Sequence, residues 1–132
     1  MMLALQHTTL DSAMFYDAKL GMGRYASLFD CMTYLPLPAY YAFVAFGELY
    51  CRETEVPVSE LPAGVYGLAA KAEDGCLVLA NTTAEPVDIT LTLSGAKNIT
   101  ACKVIRDGAI WEDFTFADQL PAESVVCLQC DL

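Results

Sequence analysis

The chain has 132 residues, 55% of them hydrophobic, with seven basic against seventeen acidic side chains and a net charge of −10. That length accommodates one domain, or a small domain with an appendage, and excludes a complete β/α barrel, which takes roughly 250 residues. The negative charge, with no basic stripe to offset it, sets nucleic acid aside as a partner.

Residues Met1 to Thr9 read as the end of a helix, without the basic leading segment of a secretion signal. Ser12 to Ala18, SAMFYDA, reads as a short strand of the fully buried kind. Gly21, Gly23 and Ser27 mark a loop running through Leu28-Phe29-Asp30 to Pro36. Pro36 or Pro38 then opens a helix, since proline at a first helical position gives up only an amide that has no partner anyway. That helix carries Tyr40, Tyr41, Phe43, Val44, Phe46, Leu49 and Tyr50 around most of its circumference, so it must be covered on several sides. Gly47 within it is expected to permit a close crossing with a neighbour. The apolar stretch Leu35–Tyr50 is interrupted by two prolines, Gly47 and Glu48. No run reaches the ~18 residues of a spanning helix, so no membrane partner is expected.

Val56 to Pro62 forms a polar, proline-bearing linker, which divides the chain into residues 1–55 and 56–132. Strands are expected at Val65–Ala72, Cys76–Ala80, Val87–Leu93, Ile99–Arg106, Ala109–Phe116 and Ser124–Cys130. Asp74-Gly75 and Asp107-Gly108 supply tight turns between them. Val87-Asp-Ile-Thr-Leu-Thr-Leu93 alternates apolar and polar residues throughout, the mark of a strand with one buried and one wet face. The fold class is therefore mainly β, an antiparallel β-sandwich of six to eight strands behind an N-terminal helical segment. So small a sandwich buries little surface, and docking against the apolar helix is expected to be part of its folding.

Six cysteines, Cys31, Cys51, Cys76, Cys102, Cys127 and Cys130, are scattered over strand-like apolar runs, as reduced and buried thiols of a cytoplasmic protein would be. Cys127-Leu-Gln-Cys130 has the spacing of half a zinc site, but on a strand its two thiols point to opposite faces. Neither metal nor cofactor is expected. The single histidine, His7, has no nucleophile motif near it, and Gly21-Met-Gly23-Arg24 lacks the lysine of a phosphate loop. Trp111, with Tyr66, Phe114 and Phe116, could offer a sugar ring a stacking platform; at alternating strand positions core packing is the simpler role.

Helix, strand, loop and helix in that order are what the last turn of a β/α barrel gives, and here only one strand of it is present. An isolated strand leaves its backbone groups unpaired, so this segment needs other cover: the β domain, a second copy of the chain, or the rest of a barrel. Self-association into a homo-oligomer is expected on that ground.

The strings MFYDA at Met14–Ala18, LFD at Leu28–Asp30, PLPAYYAF at Pro36–Phe43 and ELY at Glu48–Tyr50 resemble the final strand, loop and helix of clan A glycoside hydrolases. The nearest likeness is family 39, the β-xylosidase and α-L-iduronidase type, whose barrel is followed by a β-sandwich. LVLANTTAEPVDITLTL and the closing LPAESVVCL are similar to such sandwiches. The resemblance implies that residues 1–55 are the last β/α unit of a barrel, and that Tyr16, Asp17 and Asp30 line a sugar site at the carboxyl end of its last strand. The plainer role for Asp17 and Asp30 is to cap a turn. Enzymes of this clan cut with two carboxylates on the fourth and seventh strands, both absent here, so no catalytic residue is assigned. The expected function is a non-catalytic accessory region of a glycosidase. A stand-alone carbohydrate-binding module and an orphan oligomerisation domain are the alternatives.

Overall fold

The structure, a computed structural model, describes residues 2–15 and 27–132. The chain is mainly β, as the turn spacing predicts. Six antiparallel strands make one sheet: β1 (Thr54–Val56), β2 (Val65–Lys71), β3 (Asp74–Asn81), β5 (Ile99–Arg106), β6 (Ala109–Asp113) and β8 (Ser124–Asp131). Their order across the sheet is β1-β2-β3-β8-β5-β6. A two-stranded ribbon, β4 (Val87–Asp88) with β7 (Gln119–Leu120), lies apart from it. Among the described residues two helices precede the strands, α1 (Met2–Leu5) and α2 (Pro38–Tyr50), with Pro38 in the first turn of α2 as the sequence predicts.

The sheet is closed on both faces. The period of two sends Val65, Leu77, Leu79, Cys102, Val104, Val126 and Leu128 to one side, where they form a core with Leu120. Ile89, Leu91 and Leu93, with Phe114 and Phe116, pack onto that core from the second layer. The opposite face presents Leu68, Ala70, Cys76, Val78 and Cys127 to Ala45 and Leu49 of α2. The result is three layers: helix, sheet and a thin strand ribbon.

The expected strand at Val87–Leu93 pairs only over Val87–Asp88, with one further bond from Ile89 N–H to the Asp118 carbonyl. Its partner β7 is too short to extend the ladder, so the alternation records a packing face and not a long strand. Asp74-Gly75 is not the hairpin turn. Lys71 pairs with Gly75, the turn is Ala72 to Asp74, and Gly75 lies inside β3. Its missing side chain matters for space: a Cβ there would stand 2.7 Å from Cys130 Sγ. Asp107-Gly108 does turn the chain, with Gly108 at φ +73°.

Two expectations about the first fifty residues are also corrected. Ser12 to Phe15 forms no strand, and Met14 is 93% exposed; the rest of the Ser12–Ala18 stretch lies outside the described residues. A strand persists only where a neighbour takes its backbone groups, and among the described residues none pairs with Ser12–Phe15. Gly47 of α2 meets no crossing element among the described residues, where a Cβ built on it has nothing within 4 Å. Among the described residues the sheet buries one side of the helix, and Phe15 and Phe29 pack on Phe43 and Tyr40 elsewhere on it. Ala45 and Leu49 are buried, whereas Phe43 is exposed and Tyr50 is 80% exposed.

Candidate functional site

The junction between α2 and the sheet holds most of the unusual chemistry. Arg52, just past the end of α2, is only 7% exposed. Its guanidinium grips Asp74 at the start of β3 with two bonds, Nε to Oδ1 at 2.9 Å and Nη2 to Oδ2 at 2.6 Å. Its Nη1 reaches back one helical turn to Glu48 Oε2 at 3.1 Å, and Gln129 of β8 donates to the same carboxylate oxygen at 2.8 Å. Burial works against the charged guanidinium, but the bonds to Asp74 and Glu48 outweigh it and hold its pKa above the usual value. Two carboxylates and an amide thus pin the C-terminal end of α2 to strands β3 and β8. Sequence reasoning missed this cluster, although the i, i+4 spacing of Glu48 and Arg52 is a readable signal.

Beside it two thiols meet. Cys76 Sγ and Cys127 Sγ are 3.8 Å apart, both buried on the α2 face. They share one hydrogen bond, which lowers the pKa of Cys76 and raises that of Cys127. Cys130 is on the other face of the sheet, opposite Gly75, so the i, i+3 thiols of Cys127 and Cys130 do point apart. Among the described residues, no group of three or more His, Cys, Asp or Glu side chains is placed to hold a metal.

Trp111 occupies a special position in β6. Ile105 pairs with Ile110 and Val104 with Glu112, so Trp111 is the extra residue of a β-bulge, and its φ is +58°. Left-handed backbone is costly for a bulky side chain, and a bulge re-aims the one that adopts it. The indole turns toward α2 and stacks on Tyr41, with ring centroids 5.9 Å apart and planes 17° from parallel. One indole face is thereby occupied, and Trp111 packs against the core under the helix. The row of rings continues from Tyr41 to Tyr40 at 5.2 Å and from Tyr40 to Phe29 at 5.4 Å.

Phe29 leads directly into Asp30, at the base of a small loop. The Phe29 and Pro36 backbones bridge, Leu37 N–H donates to the Leu28 carbonyl, and Asp30 N–H donates to the Leu35 carbonyl. Asp30 Oδ1 accepts from Thr33 N at 2.7 Å, Thr33 Oγ1 at 2.9 Å and Met32 N at 3.0 Å. These bonds from Thr33 and Met32 lower its pKa below the usual aspartate value. Asp30 therefore caps its own turn. Tyr16, Asp17 and the Gly21–Arg24 motif lie outside the described residues. His7 makes a surface contact with Glu55, Nε2 to Oε1 at 3.3 Å. Of the sequence-derived candidates, Asp30 and Trp111 sit at opposite ends of one aromatic row.

Residues 62–115 match the protein family described as D-apionate lactonase, C-terminal immunoglobulin-like domain. No curated protein matches the chain. Among solved structures, the fold is similar to a glycoside hydrolase family 30 subfamily 8 xylanase from Clostridium acetobutylicum, at a TM-score of 0.64 and 18% identity. That match covers 80% of this chain and 31% of the xylanase. A family 30 endoxylanase from Clostridium papyrosolvens C71 matches at a TM-score of 0.67 and 16% identity, over 79% of this chain and 30% of the other. The chain thus spans under a third of the length of either enzyme, and at these identities the likeness is one of fold.

Proposed function

We propose that this chain is the non-catalytic C-terminal accessory region of a glycoside hydrolase, a structural support for the barrel and its sugar site. The observation that carries this reading is the division of apolar surface. Of eleven large hydrophobic residues exposed among the described residues, eight lie between Leu10 and Tyr50 and three, Tyr66, Ile99 and Ile110, in the sheet. Exposed apolar side chains concentrated in one segment favour an interaction surface there, and a barrel's remaining β/α units are the cover it fits. In this reading residues 1–55 are the last β/α unit and residues 56–132 the sandwich behind it. The carbohydrate-processing names of the matched family and the fold neighbours support such a parent. The finer attribution to the family 39 type rests on the MFYDA, LFD, PLPAYYAF and ELY strings with the sandwich strings LVLANTTAEPVDITLTL and LPAESVVCL.

Within that assembly the aromatic row from Trp111 to Phe29 braces the loop of Asp30, which lines the sugar site together with Tyr16 and Asp17. Catalytic carboxylates come from the parent barrel. Without that cover, the face around Phe43 and Tyr50 pairs with a second copy of the chain.

Three measurements test the reading. The purified chain is expected to hydrolyse no aryl xyloside and to migrate unretarded through xylan gels; hydrolysis would overturn the proposal. Saturable xylan binding abolished in Trp111→Ala would instead mark a carbohydrate-binding module. Sedimentation is expected to show self-association that Phe43→Ser with Tyr50→Ser removes, and a monomeric wild-type chain would remove the support for an apolar docking face.

A further inference from the structure

We propose that Cys76 and Cys127 form an oxidisable dithiol whose closure to a disulfide latches β3 to β8 beneath α2. Three observations converge on this pair. Their sulfurs are 3.8 Å apart, in contact but unbonded. The register places Cys76 opposite Gln129 and Cys127 opposite Val78, so the two side chains are diagonal neighbours on one face of adjacent strands. Among the described residues this is the one thiol–thiol contact: Cys102 packs in the core on the opposite face, Cys130 faces Gly75 there too, and Cys51 is exposed at the end of α2. The fold therefore selects one pairing among six free thiols.

The chemistry balances with a small disulfide such as oxidised glutathione as the oxidant. The Cys76 thiolate attacks one sulfur of the oxidant and expels one glutathione thiolate, leaving a mixed disulfide. The Cys127 thiolate then attacks Cys76 sulfur and expels the second. One protein S–S bond forms, the oxidant's S–S bond breaks, two electrons pass to it, and the two thiol protons end on two molecules of reduced glutathione. Cys76 is the member suited to the first attack, because the hydrogen bond from Cys127 favours its thiolate.

The diagonal relation also makes the bond reversible. Diagonal Cα atoms on neighbouring strands are about 7–8 Å apart, beyond the roughly 4.4–6.8 Å a disulfide spans without strain. Since β3 and β8 are already hydrogen-bonded along their length, closure must slide or twist one against the other, and strained disulfides are the ones small thiols reduce readily. Both sulfurs share a core with Ala45 and Leu49, so closure shifts the bed on which α2 rests. Access depends on that same helix. Since both thiols are nearly fully buried, the oxidant enters only when α2 lifts, and Arg52 holds α2 down.

The full chain is incubated with oxidised glutathione, in buffer and in urea below the unfolding transition, then denatured, alkylated and weighed. The expected product carries four alkyl groups instead of six, and non-reducing peptide mapping joins Cys76 to Cys127. Excess reduced glutathione restores six. Arg52→Gln is expected to speed closure about tenfold, as α2 lifts more often. Six alkylated cysteines in both conditions, or a disulfide joining any other pair, overturns the proposal. Cys76→Ser must abolish the bond; should that variant fail to fold, the mapped wild-type linkage decides alone.

Discussion

The two faces of the central sheet are closed by chain of very different character. On one side, the segments after β3 and β6 lay Ile89, Leu91, Leu93, Phe114 and Phe116 over a core in which Leu79, Leu120 and Val126 are wholly buried. On the other, α2 contributes only Ala45 and Leu49 to full burial and leaves Phe43 and Tyr50 outside. The first closure is complete within the chain, by strands spaced so that a period of two satisfies both layers. The second is half an interface. A helix apolar around its circumference is built to be surrounded, and the sheet buries it through Ala45 and Leu49.

The sharpest way to break the contrast is to hollow the complete side. Leu79→Ala leaves a cavity in the strand core and is expected to cost about 3 kcal/mol in urea unfolding. A loss below about 1 kcal/mol would mean that face is no better packed than the helix face. Next is the clamp that holds the incomplete side. Arg52→Gln leaves Glu48 and Asp74 without their cation; as both carboxylates keep partial access to water, the expected loss is about 2 kcal/mol. The helical signal should fall before the β signal, because the clamp belongs to α2.

Trp111 joins the two sides and can be tested by a matched pair. Trp111→Ala loses the stack on Tyr41 and keeps the left-handed strain, whereas Trp111→Gly loses the stack and relieves the strain. The glycine variant is expected to be the more stable of the two by about 1 kcal/mol. Equal stabilities would mean the bulge is relaxed in the alanine variant and the backbone follows the ring.

The smallest effect concerns the loop at the far end of the aromatic row. Asp30 has a folded-state pKa below its ordinary value, so the support its carboxylate gives is present above the unfolded pKa of about 3.8 and fades as the pH falls through the lower folded one. In a carboxyl-detected NMR titration Asp30 should titrate below the ordinary aspartate value, and the Met32 and Thr33 amides should move with it. Titration at or above the ordinary value would show the turn is uncapped in solution.

How far this was legible in the sequence varies along the chain. Ile99–Arg106 is a strand over the residues its pattern marks, and Pro38 opens α2, because local propensity and tertiary packing agree there. The Val87–Leu93 alternation gave the buried face without the ladder, since a hydrogen-bonded partner cannot be read from one strand's own residues. Asp74-Gly75 carries a turn signal, yet the close approach of Cys130 recruits its glycine into β3. Of the site candidates, Asp30 was legible as a turn cap because its partners are two and three residues away. Trp111 was legible as a packed aromatic, but not as the bulge that aims it. Arg52 was invisible as a clamp because Asp74 lies twenty-two residues on, in another element.

Composition and period by themselves determined that this chain is an acidic, mainly β unit behind one apolar helix, since charge balance, hydrophobic spacing and turn residues are properties of neighbours along the chain. Only the tertiary structure decided which side of that helix is covered, that Arg52 fastens it, that Trp111 turns through a left-handed bulge to meet Tyr41, and that two thiols fifty-one residues apart come into contact. Each of those depends on pairing between strands distant in sequence, and register is set by the whole sheet at once.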